Sequence, residues 1–210
     1  MYALIENNEI KKIYNKPRAL TIGDIQYPSN IFSLWSKEEK EAKGIYEVVF
    51  DNSNKKDEAY YINTNQSFAF AGGVATASFG SATAKAIADS LWTQEDSDNG
   101  DLPDDKEVGD VKVKGLKTLK KEIIKQQASG LLAPTDWYVL KATDVAEYSV
   151  PSAVSTFRTN VRTKSNEMET AIDNAADVDA LATLYEYVNT GTEENPVMER
   201  PLGEWPELEV

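Results

Sequence analysis

QEDSDNGDLPDDKEVGD, residues 94–110, runs directly into VKVKGLKTLKKEIIK, residues 111–125, and this junction divides the chain. The first run carries one base and eight acids, a net charge of −7, and the second carries six bases and one acid, a net of +5. Blocks of a single sign stay in water as linkers, tails or helix faces. Asp, Gly and Pro dominate the first block, which therefore reads as a flexible acidic linker over 94–110. The second block opens an apolar repeat at helical spacing, Leu116, Leu119, Ile123 and Leu131. Lys112, Lys117, Lys120, Lys121 and Lys125 fill the rest of its surface, as on an amphipathic helix.

Downstream the pattern stays helical. Pro134-Thr135-Asp136 offers a helix stop, an N-cap and an acidic first turn for a helix through Trp137, Leu140 and Lys141. Pro151 suits the first turn of another helix, in which Val154, Phe157, Val161, Met168 and Ile172 recur at multiples of three and four. Asp177 caps one more, carrying Val178, Leu181, Leu184, Tyr185 and Val188. From Thr190 to Val210 three prolines and no periodicity give an extended acidic arm, net −5. In this arm Val197, Met198, Leu202, Trp205 and Leu208 are spaced among acids, the composition of a peptide that orders on a partner with Trp205 as its anchor.

Upstream the chain is β-rich. Residues 2–5 and 10–14 flank Asn7-Asn8, which tolerate the positive φ of a tight hairpin. Residues 45–50, 59–63, 67–71 and 74–79 are further strands, the last two turned at Gly72-Gly73. Ser36 to Lys43 forms a short capped helix stopped at Gly44, and 82–92 reads equally as helix or strand. The expected fold class is α+β: a small N-terminal domain of antiparallel hairpins over 1–93, the linker, a module of about four helices over 111–189, and the arm 190–210.

Composition narrows the chemistry. The 210 residues contain no histidine and no cysteine, which removes the usual neutral-pH base, the thiolate nucleophile and the common zinc and iron–sulfur ligands. With 41% hydrophobic residues a core can be buried. A net charge of −13 and a pI near 4.5 argue against nucleic acid as a partner. Met1 to Tyr14 lacks the apolar run of a secretion signal, and a mean hydropathy of −0.48 argues against a membrane partner. Asp96, Asp98, Asn99 and Asp101 are closely spaced oxygen donors of the kind calcium takes, but an EF-hand register puts Lys106 where a bidentate glutamate belongs. Gly72-Gly73 lacks the context of a phosphate loop. Trp35, Trp92 and Trp137 follow the apolar pattern and read as core or domain-interface aromatics. No cofactor, metal site or catalytic residue is expected.

One segment carries a resemblance. Leu131-Leu132-Ala133-Pro134-Thr135-Asp136-Trp137-Tyr138-Val139, followed by Val150-Pro151, Phe157-Arg158 and Val161-Arg162, resembles the helical module of bacteriophage tail-fibre assembly and tail-accessory proteins. Asp177 to Leu181 looks like variants in phages of marine bacteria, and Met1 to Asn8 is similar to the hairpin start of other phage structural and assembly proteins. The resemblance spans roughly 116–185. It implies a non-catalytic structural protein of the viral tail, made in the host cytoplasm and carried in the virion, present in several copies or as a homo-oligomer on other tail or fibre subunits. The alternative it implies is a tail-fibre assembly chaperone absent from the mature particle; the β-rich half and the added helix and arm go beyond a minimal chaperone.

Within that segment Leu131, Leu132, Thr135, Asp136 and Trp137 read as a structural corner. Thr135 is expected to cap a helix and Trp137 to bury its ring, so that truncating the tryptophan costs roughly 3–5 kcal/mol. Arg158 and Arg162, one turn apart, are expected to pair within the chain. A glycan hydrolase would need two carboxylates held across a cleft, and the adjacent Asp104 and Asp105 are not so placed.

Overall fold

The computed structural model describes residues 1–209 and is α+β, with a β-rich part followed by helices. It divides into two compact units, Met1–Ala84 and Lys85–Val210.

The first unit contains β1 (Tyr2–Glu6), β2 (Glu9–Tyr14), β3 (Leu20–Ile22), β4 (Ile25–Tyr27), α1 (Ile31–Leu34), α2 (Lys37–Glu41), β5 (Ile45–Asp51), β6 (Tyr61–Ile62), β7 (Ser67–Ala71), β8 (Val74–Ser78) and β9 (Thr83–Ala84). Its main sheet has the order β2-β1-β5-β8-β7. Asn7 and Asn8, at φ 53° and 67°, turn β1 into β2, and Gly72 and Gly73, at φ 57° and 77°, turn β7 into β8. These are the paired positive angles that a tight hairpin needs. The two hairpins are joined by β5, antiparallel to β1 but parallel to β8.

One face of the sheet packs Leu4, Tyr14 and Ile45 against Leu20, Ile31 and Phe32. The other is lined by Ala3, Val48, Ala75 and Ala77, with Phe70 and Ile13 packed on them. Such small residues let the sheet curl, and the outer strands β2 and β7 approach each other. The β3–β4 hairpin and α1 have no counterpart in the sequence reading. The strand expected over 59–63 shrinks to β6, with Tyr60 and Tyr61 buried.

The second unit contains β10 (Ser90–Leu91), α3 (Gln94–Asp98), β11 (Val111–Val113), α4 (Leu116–Leu132), a 3-10 turn at Ala133–Thr135, α5 (Asp136–Asp144), α6 (Ser152–Asn174), α7 (Val178–Thr183), β12 (Val188–Asn189) and β13 (Met198–Glu199). Helices α4 and α6 form its antiparallel backbone. Ile124 and Ala128 on α4, and Phe157, Val161, Met168 and Ile172 on α6, are buried, each worth roughly 1–3 kcal/mol. Leu119 and Ile123, expected on the buried face of α4, are exposed. The lysines one turn apart face α6 instead. Lys121 pairs with Asp173 at 2.8 Å and Lys125 with Glu169 at 3.4 Å. Lys117 donates to the carbonyl of Asp173 at the end of α6, where a cation is favoured.

Three sequence expectations are corrected here. The boundary between units falls before Lys85, not after residue 93. Residues 86–92 close the start of α4: the Leu116 amide donates to Ala86 O, and Asp89 accepts from the Gly115 amide and the Thr118 hydroxyl. Those bonds hold the Asp89 carboxyl below the usual carboxylate range, the Gly115 amide being the largest cause.

Residues 94–110 are not an open linker but a closed loop. The Trp92 amide donates to Asp110 O and the Gly109 amide to Trp92 O, both at 2.9 Å. Inside the loop Thr93 and Asp96 form a reciprocal capping box on α3. Lys112 bonds Asp96, which with the Thr93 amide and hydroxyl lowers its pKa to about 2.

Lastly, residues 190–209 are not an extended arm. Asp177 caps α7 as expected, its carboxylate accepting from the Ala180 amide, but the helix ends at Thr183. The chain then pairs Val188 with Glu199 and Asn189 with Met198, and folds back on the helices.

Candidate functional site

The corner at 131–137 has a different construction from the one its residue types suggest. A stop and an N-cap require an extended residue between two helices. Here Thr135 has φ −104° and ψ 0°, so α4, the 3-10 turn and α5 follow one another without an extended break. Pro134 sits in the first residues of the 3-10 turn, where a missing N–H costs least. Thr135 is buried and makes no side-chain cap. Its hydroxyl donates to Leu132 O at 2.7 Å and accepts from Arg158 Nη1 at 2.6 Å.

Arg158 is the hub. It lies on α6, is only 9% exposed, and was expected merely to pair within the chain. The same Nη1 reaches Leu132 O at 3.0 Å and Asp136 Oδ1 at 2.8 Å. One guanidinium therefore ties the last carbonyl of α4, that of Leu132, and the first carboxylate of α5 to α6. All three acceptors lie round one nitrogen, whose two hydrogens they share in three-centre bonds. Leu131 and Leu132 are half-buried beside it, against Ala128, Phe157 and Val161. The groups bonded to the Thr135 hydroxyl are a cation and a carbonyl, neither of which can take its proton. The arrangement positions backbone.

Trp137 is not a core residue. It is 50% exposed, its ring tilted 34° against that of Tyr138 at 4.0 Å between centroids, with Lys141 over its ring at 5.7 Å. On α5 the positions 137, 140, 141 and 144 share one face, and no residue of that helix is buried. Val139 and Leu140 are exposed with it. Trp137→Ala is accordingly expected to cost about 1 kcal/mol, far less than a buried indole would, as read from the urea midpoint of the full chain.

The other candidate residues divide. Val197 and Met198 are exposed beside and on β13, whereas Leu202 is 2% exposed, its amide donating to Leu184 O at 3.0 Å. Trp205 and Leu208 pack on Ala128, Phe157 and Val161, and the indole N–H donates to Gln127 Oε1 at 3.1 Å. The five positions expected to dock on a neighbour thus split into two exposed residues and three seated on their own unit. Gln127 and Asp89 went unnoticed in the sequence, and no local signal marks either. Among the described residues no group of three or more acids is placed to hold a metal ion, and no helix is long and apolar enough to cross a membrane.

Comparison of the chain with protein-family models, with curated proteins and with solved structures finds no match.

Proposed function

We propose that this protein is a non-catalytic structural component of a bacteriophage tail, present in several copies and docked on neighbouring tail or fibre subunits. The observation that carries the reading is the corner. The segments on which the resemblance to tail-fibre assembly and tail-accessory proteins rests, 131–139 and the Phe157-Arg158 pair, are separated in sequence yet bonded through one buried arginine. They behave as one motif. The exposed apolar residues that share one face of α5, Trp137 and Leu140, give that motif an outward surface suited to a protein neighbour.

Mass spectrometry of purified particles tests the proposal. The expected result is the protein at a fixed copy number per particle. Its absence from particles, together with high abundance in infected cells, would replace the structural role with that of an assembly chaperone.

A further inference from the structure

Between Glu186 and Glu199 the chain carries four acids and no base, and there it folds into the hairpin of β12 and β13. The turn is locked from within. Asn189 Oδ1 accepts from the amides of Gly191 at 3.0 Å and Val197 at 2.9 Å, and the Thr192 hydroxyl accepts from the Asn195 amide at 3.1 Å. The Thr190 amide donates to Val197 O at 2.8 Å, and its hydroxyl donates to Glu199 Oε2 at 3.0 Å. A hairpin of two strands is marginal by itself in water, so these bonds keep it in shape.

The shape it keeps exposes apolar residues on both faces. Val188 lies opposite Glu199, which puts Val188 and Val197 on one face, and Asn189 lies opposite Met198, which puts Tyr187 and Met198 on the other. All four are about half exposed. The sheet has only these two strands, so each keeps an outer edge. The edges are not equivalent. At the outward position before Met198 stands Pro196, which has no N–H, and the carbonyl of Arg200 beyond β13 is taken by the Gly203 amide. On the other side Thr190 faces inward to Val197, so the Asn189 amide beside it points to the open edge of β12.

We propose that β12 accepts an extended segment of a partner protein as a third strand, one in which apolar residues alternate with basic ones. The edge at Tyr187–Asn189 supplies main-chain bonds, and the apolar side chains on each face supply contacts to the alternate residues of the added strand. Charge selects the segment. Glu186, Glu193, Glu194 and Glu199 are all exposed, and the nearest base, Arg200, is held by Glu204 at 2.9 Å. A basic strand is therefore steered in, while an acidic one, the same hairpin of another copy included, is repelled.

The probe is a short capped peptide of alternating lysine and valine, fluorescently labelled and titrated against the purified full chain by anisotropy. It is expected to bind about tenfold more tightly than peptides alternating lysine with serine or glutamate with valine. Val188→Thr combined with Val197→Thr keeps every charge and both β-branched shapes, and should weaken the lysine–valine peptide about tenfold. Glu193→Gln with Glu194→Gln, in the exposed turn, leaves the apolar residues alone and should weaken it severalfold, whereas Leu140→Thr on α5 should leave it unchanged. Hydrogen exchange locates the contact, and bound peptide should slow the Asn189 amide. No binding of the lysine–valine peptide overturns the proposal. So does equal binding of the lysine–serine peptide or of the threonine variant, since either makes the attraction one of charge alone. Binding that leaves the Asn189 amide unprotected, or that Leu140→Thr weakens as much, sinks the strand addition to β12. Purified protein suffices throughout, so the result is independent of whether particles contain the chain.

Discussion

Replacing Arg158 with alanine is expected to destabilise the helical unit by about 3 kcal/mol, the loss that follows when a buried charge network loses one partner. The loss comes from specific groups. Leu132 O gives up an ion-assisted bond, the buried Thr135 hydroxyl loses its donor, and the guanidinium no longer fills the space between α4 and α6. Asp136 is 57% exposed on its side chain and rehydrates, so its share is small. Arg158→Lys keeps the charge but not the flat guanidinium that fills the space beside the corner, and should recover only part of the loss. Urea denaturation followed by far-UV circular dichroism reads both variants. A cost below about 1 kcal/mol for the alanine variant would mean that the corner does not hold these helices together.

In the β-rich unit the largest effect is expected at Gly44. It lies at φ +76°, and a Cβ there would sit 2.4 Å from the carbonyl oxygen of Ile5. That neighbour cannot retreat, because the Ile5 amide donates to Gly44 O at 2.7 Å and strand β1 is hydrogen-bonded on both sides. Gly44→Ala therefore combines left-handed strain of about 1 kcal/mol with backbone displacement. The total is expected to reach about 3 kcal/mol. Gly23→Ala separates the two contributions: it shares the positive φ, at +57°, but its Cβ would meet nothing within 4 Å. It should cost only the strain, about 1 kcal/mol. Equal midpoints for the two variants would show that the close approach at Ile5 carries no energy.

The parts of this fold that were legible in the sequence are those whose cause is local. Asn7-Asn8 and Gly72-Gly73 announce their hairpins because few other residues accept such angles. Val154, Phe157, Val161, Met168 and Ile172 announce α6 through spacing alone, and all five are buried. Ser36 and Asp177 announce helix starts and do cap them.

What stayed hidden depends on pairs far apart in the chain. Asp89 holds Gly115 from 26 residues away, and Trp205 meets Gln127 from 78 away. No window of sequence displays either bond, so composition alone gives the closed loop the look of a linker and the seated segment that of a free arm. Trp137 failed for a different reason. Its apolarity announces burial, but apolar residues also cover surfaces, and the continuous turn through Ala133–Thr135 rotates α5 so that its tryptophan faces out. The corner was found as a set of residues, while its bonding pattern required α6 to be in place.

The acidic loop has a practical consequence for anyone who needs to label this protein. Its two ends are already brought together by the paired Trp92–Asp110 and Trp92–Gly109 hydrogen bonds, while Asp101 and Asp104–Glu107 at its far side lie exposed. Chain spliced between those residues departs from and returns to nearly the same point. Lengthening a loop raises its closure entropy only logarithmically, and exposed polar tips are where guest sequences are tolerated. A fluorescent or affinity module grafted there would hang from a closed neck, leaving α4 and the groove that holds Trp205 as they are.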